Sequence, residues 1–265
     1  MVTTASPRAR RRTAIRAGRL FDGISSITWA EALVVVEDGR ITSVDRGGGG
    51  AVPPDAELLE LPGATLLPGL VDTHVHLAFD AGPDPLVALA GCDDDAALTA
   101  MEQAATAQLA AGVTTVRDLG DRGYLALRLR GSAGAARPTI VASGPPITSP
   151  GGHCHSLGGT ATGVDGVRAA VRERAERGID VVKVMASGGH LTAGTVMHGT
   201  QFDDAEMRAL VDRVMDERRA AIAEILQRMP ASRRQALVPV LRAFAAAAGE
   251  VPDDVVWSLG WTTSD

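Results

Sequence analysis

Between residues 67 and 187, apolar β-rich runs alternate with helical stretches that end on glycine, and few folds accommodate that alternation. LVDTHVHL (70–77), TTVRDLG (114–120), TIVASG (139–144) and DVVKVMAS (180–187) have the length and residue types of strands. Asp95–Ala111, a stretch around Tyr124–Arg130, and Asp165–Arg177 carry the helical repeat between them, with Gly112 and Gly178 placed as stops. Repeated strand–helix units predict an α/β fold, a parallel sheet with its helices outside. The rhythm covers about four βα units and then ceases.

The flanks differ in kind. Residues 13–66 read as short strands and turns, with Val34–Val36 and Ile41–Val44 joined through Asp38-Gly39, a hairpin signature. Gly47–Gly50 followed by Pro53-Pro54 is a loop, without the spacing of a phosphate-binding glycine motif. Beyond Phe202 the chain reads as a helical hairpin. Asp203-Asp204 opens the first helix, Pro230 breaks it, and Ser232 opens a second that Gly249 stops. Residues 1–12 carry an arginine run and read as a disordered, solvated tail.

Composition excludes several classes. A net charge of −6 and a pI near 5.5 argue against nucleic acid as a partner. The two cysteines, Cys92 and Cys154, rule out a disulfide framework and a cysteine zinc site. The apolar stretch required for a signal peptide or a membrane span is missing, so no membrane partner and a cytoplasmic location are expected.

Six histidines lie between 74 and 198. In Asp72-Thr73-His74-Val75-His76, the i, i+2 spacing on a strand puts both imidazoles on one face. Such a pair suits a divalent ion, zinc being the natural choice for imidazole, and it also suits two hydrogen-bonded histidines at a strand end. Lys183 is the only lysine among 26 basic residues and sits in the apolar run VVKVMAS. It reads either as a functional amine, which guanidinium cannot replace, or as a lysine snorkelling from a strand end.

Taken in order, PGLVDTHVHL, GVTTVRDLG, ASGPPIT with PGGH, and IDVVKVMASGG resemble the amidohydrolase superfamily, in its imidazolonepropionase-like and Xaa-Pro dipeptidase-like branch, over roughly residues 13–213. The resemblance implies a TIM-like (β/α) barrel at 67–213 and part of a small β domain at 13–66. His74 and His76 match the first two metal ligands of that family. Lys183 matches its carboxylated lysine, whose carbamate holds metal. His153 matches a loop position near the substrate pocket, where it reads equally as a substrate contact or as a solvated loop histidine. Members hydrolyse non-peptide amides, cyclic amides or Xaa-Pro dipeptides, with metal activating water and polarising the carbonyl. His155, His190 and His198 have weaker claims. Asp118 reads as a structural hydrogen-bond acceptor, and Cys154 as a poor nucleophile.

The pattern is also incomplete. After His198 the sequence has no histidine, so counterparts are missing for the ligands the family draws from later strands, its catalytic aspartate among them. Residues 67–213 fall short of the ~250 typical of a full barrel. Segment 214–257 resembles the carboxyl-terminal, dimer-forming helices of MarR-type transcription regulators, without their DNA-reading module. An incomplete barrel followed by a helical tail (214–265) is therefore expected. It should hold at most one weakly bound ion and act on a small-molecule amide if active. Self-association is expected through the tail or the open sheet edges. The chain is expected to be inactive or incomplete, the alternative being a non-catalytic, dimerising fusion protein with a vestigial half barrel.

Overall fold

The computed structural model describes residues 12–247, apart from 26, 48 and 135. The expected tail and the Gly249 stop lie outside the described residues, except for Arg12. That residue opens the first strand and pairs with Glu37 and Asp55 at 3.1 and 2.7 Å. By internal contacts the chain divides into two units. One is drawn from Met1–Thr73, Ala105–Val116 and Ala135–Thr139, the other from His74–Ala104, Arg117–Gly134 and Ile140–Asp265.

The first unit holds a four-stranded sheet, ordered β3-β2-β1-β4, of β1 (Arg12–Leu20), β2 (Trp29–Glu37), β3 (Arg40–Asp45) and β4 (Glu57–Leu66). β1 pairs antiparallel with β2 (Ile15 opposite Val34) and parallel with β4 (Ile15 opposite Leu59). The expected hairpin is present. Asp38 and Gly39 both take positive φ, 49° and 78°, as the tight turn between twisted strands requires. Leu20, Ala32 and Val34 form the core, packed by Trp29, Val36 and Leu66. At the bulge between Ala17 and Arg19, a Cβ on Gly18 would lie 1.9 Å from the Pro62 carbonyl oxygen.

The second sheet is ordered β5-β6-β7: β5 (Leu70–Val75), β6 (Val113–Asp118) and β7 (Thr139–Ala142). Leu70 N bonds Gly112 O and Leu119 N bonds Val75 O, so β5 and β6 run the same way. The helices are α1 (Pro85–Ala90), α2 (Asp94–Ala110), α3 (Leu125–Gly131), α4 (Gly163–Glu176), α5 (Asp204–Arg228) and α6 (Ala231–Ala247). Gly112 and Gly178 follow α2 and α4 with φ of +91° and +77°, the left-handed stop the sequence predicts. α1 has no counterpart in the sequence reading.

The fourth run departs from expectation. Residues 180–187 form no continuous strand; Val184 makes one parallel bridge, to Ile147. Ile147 N bonds Lys183 O and Met185 N bonds Ile147 O, both at 2.8 Å, while Asp180 N bonds Ala142 O. Between those points the third run passes through Gly144 (φ +64°), Pro145 and Pro146. Proline has no N–H to donate, so the ladder is broken there. Ile147, Val167, Val171, Phe202 and Leu210 build the core beneath this segment, joined by Val182 and Val184.

α5 begins with the expected cap. Asp203 accepts from Glu206 N and Glu206 accepts from Asp203 N, at 2.8 and 2.9 Å, a reciprocal capping box. The other Glu206 carboxylate oxygen takes Gly163 N at the start of α4. No helix of the described residues is long and apolar enough to cross a membrane.

Candidate metal centre

His74 lies in β5 and His76 one residue past its end. The strand stops at Val75, short of the expected 77, because the Leu77 N–H turns to the Asp118 side chain, 3.0 Å away. The two imidazoles still come together, with ring centroids 5.4 Å apart and planes inclined by 59°. His76 Nδ1 lies 2.9 Å from Gly120 O. A carbonyl can only accept, so Nδ1 carries the proton and Nε2 keeps its lone pair, the form that binds metal. Phe79 stacks on the same ring at 4.6 Å. Gly120 passes so close that a Cβ there would meet the imidazole at 3.1 Å.

Lys183 is half-buried, and its charge reaches His76, His153 and Cys154. Burial, joined by that charge, pushes His76 below the ordinary imidazole range, with the Gly120 carbonyl opposing. Burial likewise lowers His153, with Lys183, His190 and His76 adding to the effect. His153 Nδ1 is a buried atom without a hydrogen-bond partner, and its ring packs over Gly189. The structure thus gathers His76, His153 and Lys183, with His74 beside His76. His190 is exposed but within electrostatic reach of His153, whereas His155 and His198 are not brought to the group. His155 is exposed and bonds Gly152 O, and His198 is exposed. The thiol of Cys154 is buried and raised by burial, which removes it as a nucleophile.

Two carboxylates are fully buried nearby. Asp118 accepts from Leu77 N and Gly120 N, and burial pushes it up to about 6. Asp121 accepts from Ala126 N and is pushed up to about 7, chiefly by burial and further by Asp118. The sequence identifies Asp118 as an acceptor. Gly120 and Phe79 go unnoticed there, although the D-L-G triplet after a strand offered a signal for the first.

The donors fit part of a metal site. With a metal–nitrogen distance of ~2.0–2.1 Å, two imidazoles bound tetrahedrally to one ion would have centroids ~5.2 Å apart. The observed 5.4 Å is close to that. Among the described residues, no group of three His, Cys, Asp or Glu is placed to hold an ion.

Comparison with known proteins decides the lineage. The amidohydrolase family model matches residues 65–224, more than half of the chain. The chain belongs to the amidohydrolase family. The match runs to residue 224, into the segment 214–257 that the sequence reading expects to be MarR-like. Among amidohydrolase relatives, Aspergillus niger ochratoxinase is 26% identical over 199 residues, covering 60% of this chain and 39% of that protein. A dihydroorotase from Syntrophus aciditrophicus is 38% identical over 63 residues, 24% of this chain and 14% of that one. The crystal structure of an Xaa-Pro dipeptidase with bound methionine in its active site superposes with a TM-score of 0.69 at 28% identity. It covers 77% of this chain and 54% of its own. The chain spans about half the length of the solved amidohydrolases it matches, and less of the curated ones.

Proposed function

We propose that His74, His76 and Lys183 form the amino-terminal share of a divalent-metal centre, with zinc as the ion, in a hydrolase that cleaves a C–N bond of a small amide. The observation that carries the reading is the imidazole pair at the end of β5, with His76 fixed so that Nε2 is free, in electrostatic reach of Lys183. Family membership supports the hydrolytic class. The substrate range follows relatives named for Xaa-Pro dipeptides and ochratoxin.

Lys183 is assigned a carbamate. An ammonium beside imidazoles repels a cation. Reaction of the neutral amine with carbon dioxide forms an N–C bond, releases a proton and leaves an anionic oxygen donor, which turns repulsion into attraction. A bound divalent ion would supply Lewis acidity toward the scissile carbonyl. In this chain His74 and His76 would hold it, and the Gly120 carbonyl would keep the His76 proton on Nδ1. His153, in reach of the Lys183 charge, would contact substrate. The region from residue 67 is read as an incomplete TIM-like barrel, with three strands in one sheet and an irregular fourth run at 180–187. Apolar rows on α5 and α6 are read as surfaces for self-association, supported by the exposure of Ile222, Ile225 and Leu241.

An assay of Xaa-Pro dipeptides, cyclic amides and N-acyl amino acids with zinc and bicarbonate tests the reading. Amine release that needs both additives and disappears in Lys183→Arg supports it. Release without metal, or undiminished in Lys183→Arg, contradicts it. Zinc binding without release would leave the metal centre standing and remove the hydrolytic part.

A further inference from the structure

Asp118 has no solvent exposure and stands at the last position of β6, yet neither of its oxygens pairs with a cation among the described residues. Both are taken by backbone N–H groups from two different segments. Oδ2 accepts from Leu77 N and Oδ1 from Gly120 N, each at 3.0 Å. Those segments flank one side chain: Leu77 is the residue after His76, and Gly120 supplies the carbonyl that receives His76 Nδ1. The connections close a ring, from the His76 main chain through Leu77 to the carboxylate, on to Gly120, and back to the imidazole. Asp118 is anchored in turn, its own carbonyl accepting from Ser143 N at 3.0 Å.

We propose that Asp118 is the positioning residue for His76, fixing the Gly120 carbonyl against Nδ1 and thereby the tautomer that leaves Nε2 free. The importance of the metal ligand rests on the function proposed above, whereas the tautomer does not. An ionised carboxylate suits this place because it accepts with both oxygens. A carboxamide there would turn an NH₂ group toward one of the two N–H donors, losing a bond and setting donor against donor. Freed from that restraint, the Gly120 carbonyl would no longer single out Nδ1.

Asp121 provides the control. It is equally buried and three residues away, but it serves the start of α3 through Ala126 N rather than His76. Long-range proton–nitrogen-15 spectra of the metal-free protein, at about pH 8 where unperturbed imidazole is neutral, report each histidine's tautomer. The expected result is the Nδ1–H form for His76 in the wild type and in Asp121→Asn, and a mixture of tautomers in Asp118→Asn. Zinc affinity should fall ~10–100-fold in Asp118→Asn alone, the usual effect of removing an outer-shell partner. An unchanged His76 tautomer and unchanged zinc affinity in a folded Asp118→Asn protein would overturn the proposal. Should that variant not fold, the wild type still decides. The proposal requires the Nδ1–H tautomer and slow amide exchange at Leu77 and Gly120, and an Nε2–H His76 overturns it. If the wild type binds no zinc but the tautomer shifts in Asp118→Asn, the positioning role stands and the metal reading falls.

Discussion

Asp118 and Asp121 show what burial does to a carboxylate: it disfavours the charged form of both, and the neighbouring Asp118 charge raises Asp121 further. Asp118 has partners on both oxygens and is pushed to about 6; Asp121 Oδ1 has none, and its carboxyl reaches about 7. A folded-state value above the unfolded 3.8 means that the protonated form is the one folding favours. The associated stability is therefore full below about pH 4 and is lost as pH rises through about 7. Asp121→Asn removes the charge and keeps an oxygen for Ala126 N. It is expected to be more stable than the wild type at about pH 8, by ~1–4 kcal/mol at ~1.4 kcal/mol per unit. Urea unfolding at about pH 8 and pH 4 checks this, since the gain should vanish at the lower value. Gly18→Ala tests the opposite kind of constraint. A Cβ 1.9 Å from the Pro62 oxygen forces the bulge apart, and a loss of ~1–3 kcal/mol in thermal unfolding is expected. The sequence singles out His74, His76 and Lys183 because rare residue types at strand ends stand out. It could not show that His76 leans on Gly120, since that bond spans 44 residues and leaves no local pattern.

At the level of elements, local chemistry was legible wherever it acted within a few residues. The hairpin at Asp38-Gly39, the glycine stops at 112 and 178 and the Asp203 cap all follow from nearest neighbours. The fourth strand was legible as a β-branched run, but its pairing depended on what lay opposite. Pro145 and Pro146 sit there and reduce the ladder to a bridge at Ile147. The capping box makes a separate prediction. Asp203→Ala should cost ~0.5–2 kcal/mol and lower the melting temperature, because the Glu206 N–H then loses its partner. An unchanged melting temperature would mean that the helix start contributes nothing to stability. Along α5, Val211, Met215, Ile222 and Ile225 expose one apolar row. Light scattering of Ile222→Glu with Ile225→Glu should report a smaller particle than the wild type if that row mediates self-association.

Across the whole molecule, the βα rhythm and the order of its motifs carried the family, and the family model agrees over residues 65–224. The small sheet before it was legible as strands and turns. Its parallel β1–β4 pairing was not, because that contact joins segments more than forty residues apart. The central claim is a single ion held by His74, His76 and a carboxylated Lys183. Its most direct test is elemental analysis after equilibration with zinc and bicarbonate and removal of free metal, comparing wild type, His76→Ala and Lys183→Arg. At most one weakly held zinc per chain is expected in the wild type, as a single site with an open position would hold, with less in either variant. Equal zinc in all three proteins, or two tightly bound ions per wild-type chain, would contradict it.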